Sequence, residues 1–472
     1  MEKKFLFSVV MPIYNTAPYL DESIGSVIRQ SIGFEDHIQL ILINDGSLDQ
    51  SHEICKRYKE QYPDNIIYVE QENMGVSHAR NHGLTYATGK YVNFFDSDDI
   101  WEPDVFQKVA VFFDTYEDET DVVCCLQKYF ESVSGLHGLS KKFEKGSRVI
   151  DIHAEPDSIL LNVTSVFIKS DVARHYTFDT EISIGEDSTY ITEVIFEKEA
   201  YGVLQDAVYH IRKRHAGNSL TQSASKNRYT KTVDRYYQYL PELSRRKFGR
   251  VIPYVQFAIL NGLKFRVLSN QELPLTPAEK AIYVRKIIGL VQLLDDEVII
   301  QAGRMLPATK LYLLKLKHGI LDESHLSIEK DILFYKGIRV CRLSINRLEL
   351  YGFSITGNRC ELRGKLAFPL LGDVVLQARV NEKAFVIPLT DHPDLEKYSF
   401  TGELIRKNKE FCFAFPLDDN AATILFDVIF DGHVITQKPV LKNELTTLKN
   451  DSLKLGNRHV SLRMKKILIE NK

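Results

Sequence analysis

Between Phe5 and Tyr14 the chain is almost uninterruptedly apolar and stops at Pro12-Ile13-Tyr14-Asn15, the pattern of a strand buried on both faces. Leu20, Ile24, Val27 and Ile28 then recur at helical spacing, with Asp21 and Glu22 in the first turn. The alternation repeats. A second strand, Ile38 to Ile43, runs into Asn44-Asp45-Gly46-Ser47. A helix is predicted over Ser51 to Tyr62 and a short strand over Ile66 to Val69. Asn73-Met74-Gly75-Val76-Ser77 opens another helix, which carries Ala79, Arg80 and Asn81 and in which Gly83 permits close packing. A β-rich segment, Lys90 to Phe95, then delivers Asp96-Ser97-Asp98-Asp99. Strands alternating with helices predict right-handed parallel crossovers with ligands at the strand carboxyl ends. Every polar cluster in this stretch falls at such an end.

The acids Asp96, Asp98 and Asp99 crowd into four residues and repel one another. Taken alone the run is either ordinary turn chemistry or a site for a divalent cation that carries a diphosphate. Glu186-Asp187 stands just before Tyr190, Ile191, Val194 and Ile195, so both acids lie near a helix start, where they complement the helix dipole.

Five short motifs in order change the reading: Val9-Val10-Met11-Pro12-Ile13-Tyr14-Asn15, Asn44-Asp45-Gly46-Ser47, Asn73-Met74-Gly75-Val76-Ser77-His78-Ala79-Arg80-Asn81, Phe95-Asp96-Ser97-Asp98-Asp99 and Gly185-Glu186-Asp187. With them the chain resembles the family-2 glycosyltransferases, whose catalytic domain has the α/β nucleotide-sugar-binding fold called GT-A. The resemblance covers residues 5–220 and is closest to bacterial enzymes that decorate wall teichoic acid or build capsular polysaccharide. It implies a donor site from Pro12, Tyr14, Asn15, Asp45, Asn73, Arg80 and Asp96. Tyr14 would stack on the base and Asp45 accept from the uracil imide. Arg80 would meet the pyrophosphate, and Asp96 the ribose. Asp98 is implied as the ligand of Mn²⁺ or Mg²⁺. Asp99 either assists the metal or starts the following helix. In Tyr209-His210-Ile211-Arg212-Lys213-Arg214, His210 is implied as a third metal ligand and Arg212 or Arg214 as phosphate contacts. Gly217-Asn218-Ser219 follows, and the segment from Tyr209 onward reads as a mobile loop closing over the donor or as a solvated basic turn. The resemblance, with Asp187 at the family's spacing after the acidic run, implies that Asp187 is the general base. A carboxylate there takes the acceptor proton while the nucleotide diphosphate leaves. A single displacement then inverts the anomeric centre.

Composition narrows the class. A chain of 472 residues holds two or three domains. A net charge of −3 and pI near 6.6 argue against a general nucleic-acid binder. Met1-Glu2-Lys3-Lys4 leads directly into the first strand, and no run approaches the roughly 18–20 apolar residues that span a bilayer. The expected location is cytoplasmic, or peripheral on the inner face of the cell membrane. Six cysteines lack metal spacing and suit reduced thiols.

Residues 1–225 are therefore expected to form the catalytic domain. Val255, Ile259, Leu263 and Val267 recur helically, so 226–330 reads as a helical connector. Short β-like runs over 331–445 predict a β-sandwich-like domain for polymer binding or homo-oligomerisation. The basic tail, 446–472, reads as an amphipathic helix on an anionic membrane, through Leu462, Lys465, Lys466 and Ile469, or as a solvated segment. The expected function is metal-dependent inverting transfer of a hexose or N-acetylhexosamine from a UDP-sugar. The acceptor would be a cell-envelope polymer such as teichoic acid or capsular polysaccharide. The alternative is a non-catalytic glycan-binding or scaffold protein on the same frame. Asp98 and Asp187 favour the enzyme, since a binding module needs neither.

Overall fold

The computed structural model describes residues 4–214, 226–267, 273–303, 305–356, 358–369, 373–381, 383–398, 404–417, 422–441, 453–455, 458–463 and 466–471. The chain divides into two compact units. The first, residues 1–259 with 274–286, holds strands β1 (Phe7–Ile13), β2 (Ile38–Asp45), β3 (Ile66–Gln71), β4 (Tyr91–Phe94), β5 (Ile100–Trp101), β6 (Val122–Glu131), β7 (Gly135–Leu136), β8 (Arg148–Asp151), β9 (Val166–Lys169) and β10 (Ala200–Lys213). Its helices include α1 (Ala17–Ile28), α2 (Phe34–His37), α3 (Ser51–Gln61), α4 (Val76–Thr85), α5 (Val105–Thr115), α6 (Ser170–Ala173) and α7 (Glu186–Lys198).

All ten strands join one mixed sheet in the order β3-β2-β1-β4-β9-β6-β10-β5, with β7 on β6 and β8 on β10. The half β3-β2-β1-β4 is parallel, as strand–helix alternation requires. β1 and β2 are buried along their whole length because helices cover both faces. β9 enters antiparallel to both β4 and β6 and ends the simple alternation. Helix α4 packs closely on the sheet through Gly83, where an added Cβ would lie 2.3 Å from Val10 Cγ1. Arg80, one turn earlier on the same face, is thereby carried towards the carboxyl end of the sheet. The core beneath is aromatic: Phe7, Phe106 and Phe167 meet edge to face, and Trp101 joins Phe167 and Tyr209.

The stretch read as a helical connector is shared between the two units. Residues 226–259 and 274–286 go with the first unit and 260–273 and 287–472 with the second. The second unit carries a three-stranded sheet (Leu326–Glu329, Ile332–Tyr335, Ile338–Arg342), a five-stranded sheet and a seven-stranded sheet. The larger two meet through Phe411 with Phe426 and Phe385 with Phe413, the facing aromatic pairs of a sandwich. The tail differs from the helical expectation. Leu453–Leu455, Arg458–Arg463 and Lys466–Asn471 are strands of the seven-stranded sheet. Ile467 and Ile469 are buried on one face, so the tail follows the period of two rather than the helical spacing of Leu462, Lys465, Lys466 and Ile469.

Candidate active site

Three turns at the carboxyl ends of β1, β2 and β3 are tied together. Asn15 adopts φ 53°, its N–H donates to Ser47 Oγ at 3.1 Å, and its Oδ1 accepts from Leu48 N at 2.8 Å. Asp45 is buried at the end of β2. Its Oδ1 accepts from Met74 N at 2.9 Å and Gln71 Nε2 at 2.8 Å, and its Oδ2 from Gly75 N at 2.9 Å. A carboxylate offers about four lone-pair sites, so roughly one remains for a ligand. Gly46, at φ +72°, sits where a Cβ would meet Asn73 N at 2.9 Å, so only glycine lets the two turns approach this closely. Pro12 is buried in β1, while Tyr14 and Asn73 are exposed beside these turns.

Two clusters divide the acidic run. In the first, Arg80 is almost fully buried on α4. Its Nη1 donates to Asp187 Oδ1 at 2.5 Å and its Nη2 to Asp96 Oδ1 at 3.2 Å, with Glu186 Oε1 3.9 Å from Nη1. Phe178 lies against the guanidinium at 5.4 Å and is fixed by reciprocal hydrogen bonds with Asn81, both 2.8 Å. Asp187 opens α7 behind Gly185. Burial, together with the charge of Asp187, pushes Glu186 up to about 7 against the pull of Arg80. Burial likewise raises Asp96 to about 6, opposed by Arg80 and assisted by Asp98 and Asp187, while 39% of its side chain still meets solvent. The expected pyrophosphate contact of Arg80 thus has a different setting: its two terminal nitrogens face carboxylates, because a buried guanidinium must be paired.

In the second cluster, Arg214 donates from Nε to Asp98 Oδ2 at 3.0 Å and also from Nη2. Asp99 accepts from Tyr209 Oη at 2.7 Å and from Arg212 N at 2.8 Å. Burial and the neighbouring Asp98 and Asp96 hold Asp99 well above the carboxylate range. The pairing of β5 with β10, Trp101 opposite Tyr209 and Ile100 opposite His210, sets this register. Arg212 spans Asp98 O at 2.7 Å, Glu131 Oε2 at 2.8 Å and Glu22, and lies between the rings of Tyr19 and Phe130. His210 Nε2 pairs with Glu102 Oε1 at 3.1 Å. Among the described residues no three His, Cys, Asp or Glu side chains form a metal-binding group. Tyr209 to Lys213 are the end of strand β10, paired with β5 and β6, rather than the expected loop, and Gly217-Asn218-Ser219 lie outside the described residues.

The structure therefore unites Arg80, Asp96 and Asp187, and separately Asp98, Arg214, Asp99 and Arg212. His210 is engaged with Glu102. The sequence does not single out Gln71, Tyr19, Glu102 or Glu131, nor the pairing of the first-turn acid Glu22 with Arg212 or the role of Tyr209. Tyr209 was within the quoted basic segment, but its partner lies 110 residues away, and no local pattern reports such a pairing.

A strand-end acidic run, a helix-borne carboxylate and parallel sheet turns thus gather at one end of the sheet, and comparison with known proteins supplies the class. The glycosyl transferase family 2 profile matches residues 8–174. The chain is 32% identical over 361 residues to the minor teichoic acid biosynthesis protein GgaA of Bacillus subtilis, covering 74% of this chain and 80% of GgaA. It is 38% identical over 317 residues to GgaB of the same organism, covering 66% of this chain but only 35% of GgaB. The crystal structure of S. aureus TarS superposes with a TM-score of 0.56 at 16% identity, over 99% of this chain and 85% of TarS. TarS residues 1–349 in complex with UDP-GlcNAc superpose at 0.53 and 17% identity, over 70% of this chain and 99% of that one. The chain belongs to glycosyl transferase family 2 and has its GT-A-like catalytic fold, followed by a β-rich region. No helix among the described residues is long and apolar enough to cross a membrane.

Proposed function

We propose that the chain is an inverting glycosyltransferase that moves a hexose or N-acetylhexosamine from a UDP-sugar onto teichoic acid or a related cell-envelope polymer. The observation that carries this reading is the meeting of Asp187 and Asp96 on one guanidinium. A candidate base and a candidate donor contact, 91 residues apart in the chain, thereby share one pocket. The names of GgaA and GgaB, minor teichoic acid biosynthesis proteins, support an acceptor of this class, and the same fold holds UDP-GlcNAc in TarS.

Asp45 holds the turn on which the nucleobase would sit, and exposed Tyr14 offers it a ring face. Asp187 takes the acceptor hydroxyl proton while that oxygen bonds to the anomeric carbon. The bond from that carbon to the diphosphate oxygen breaks on the opposite side, and its electron pair leaves with UDP. The donor set fits Mn²⁺ or Mg²⁺. Asp98 carries a partly exposed carboxylate that would offer a hard oxygen, and such cations are often held by one or two carboxylates plus substrate phosphates rather than by an all-protein cage. When bound, the cation neutralises charge on the leaving diphosphate. Asp98 would hold it, with Arg214 released to the phosphates.

Asp187→Asn tests the assignment. UDP affinity by calorimetry should stay within a few-fold, while transfer to polymer should fall roughly 10²–10⁴-fold, the usual share of general-base catalysis. Undiminished transfer would remove Asp187 as the base.

A further inference from the structure

Arg80 is committed to acids on both sides of the proposed reaction. Only 4% of its side chain is exposed, and its terminal nitrogens are directed at Asp187, Asp96 and Glu186. Its Nε is buried without a hydrogen-bond partner, as is Glu186 Oε2. A diphosphate approaching this guanidinium would meet three carboxylates first, and like charge would repel it. Burying a charge without partners is costly, so one cation shared by three acids is strongly held. Its plane is held as well, by Phe178, which stacks on Tyr190 at 4.1 Å and is clamped by Asn81. Asn81 is the next residue on α4, so one helix supplies both the cation and the clamp.

We propose that Arg80 is a positioning residue for the base rather than a phosphate contact. It fixes Asp187 through Oδ1, leaving the other oxygen to be presented to the acceptor hydroxyl. Through Nη2 it holds that carboxylate at a set distance from the donor-side Asp96. Arginine is suited to this because its planar fork reaches two carboxylates at once, whereas the single ammonium of lysine cannot reproduce the fork. The inference rests on the reading of Asp187 as base.

A double-mutant cycle tests it, using Arg80→Gln, Arg80→Lys, Asp187→Asn and the Arg80→Gln/Asp187→Asn pair. The readouts are UDP affinity by calorimetry and kcat and KM for transfer. A residue acting through Asp187 should lower kcat on its own, by about 10-fold or more, with UDP affinity and donor KM within a few-fold. In the Asp187→Asn background its removal should cost little further, since coupled groups are non-additive. Arg80→Lys should recover folding and part of kcat, and serves if the glutamine variant leaves the acids unpaired and does not fold. Loss of UDP affinity, or fully additive losses, would return Arg80 to the diphosphate and overturn the proposal. Full activity of Asp187→Asn alone would instead defeat the base reading, an outcome visible in the cycle without reference to Arg80.

Discussion

Asp96 meets its cation inside the molecule, whereas Asp98, two residues on, meets its cation near the surface. Arg80 is 4% exposed and reaches the acids from a helix packed on the sheet by Gly83. Arg214 is 25% exposed and follows directly on the end of β10, with Tyr19 beneath it at 4.7 Å. The first arrangement is fixed from several sides, and the second is held by one ion pair and one ring. Arg214 is thus the more accessible of the two cations, although Asp98 itself is 23% exposed against 39% for Asp96. One acidic run thus faces a buried cation at one end and, at the other, a more accessible cation that the proposed metal diphosphate would replace.

The largest effect should come from the replaceable end. Asp98→Ala removes the carboxylate that would hold the cation, whose charge stabilisation is worth several kcal/mol. UDP-sugar hydrolysis in Mn²⁺ should drop by roughly 10²-fold or more, and titrating Mn²⁺ should restore little. Full activity of this variant in chelator would erase the distinction between the two ends.

A smaller effect is expected at the fixed end. Gly185 caps α7 at φ +97°, and a Cβ there would lie 2.6 Å from the Tyr236 ring. Arg235 and Lys231 bind Asp179 and Glu181 on the same loop. Gly185→Ala should destabilise the fold by roughly 2–4 kcal/mol, from left-handed backbone and overpacking together, and should displace Asp187. A lowered melting temperature with reduced kcat would agree. An unchanged melting temperature would show that the base loop is not clamped.

The parallel half of the sheet was legible because each strand is a continuous apolar run that ends in polar residues, and local period decides it. Every turn residue singled out there lies at the predicted strand end. The antiparallel β9 and the β5–β10 pairing were not legible, since they depend on contacts between distant segments. The same limit explains Arg80. Its charge partners Asp96 and Asp187 are set by tertiary packing and leave no local pattern around Arg80. The tail shows the other failure. Leu462, Lys465, Lys466 and Ile469 fit a helical face, yet Ile467 and Ile469 also fit an alternating strand, and pairing with Ala422–Ile424 decided between them.

The smallest effect sharpens the comparison most selectively, because it separates the charge of the fixed cluster from its geometry. Glu186 is held at about 7, raised first by burial and then by Asp187, above an ordinary value of 4.5. A group raised on folding binds its proton more tightly in the native state. Its stabilising contribution is therefore complete below about 4.5 and is lost as pH rises through 7. Glu186→Gln keeps the shape and removes that loss. The variant should match the parent in melting temperature at pH 4 and exceed it at pH 8, by the equivalent of on the order of 1–3 kcal/mol. An equal difference at both pH values would mean that the side chain matters for packing alone. A parent more stable at pH 8 would mean that the ionised Glu186 is a needed partner of Arg80, and that the fixed cluster requires all three of its negative charges.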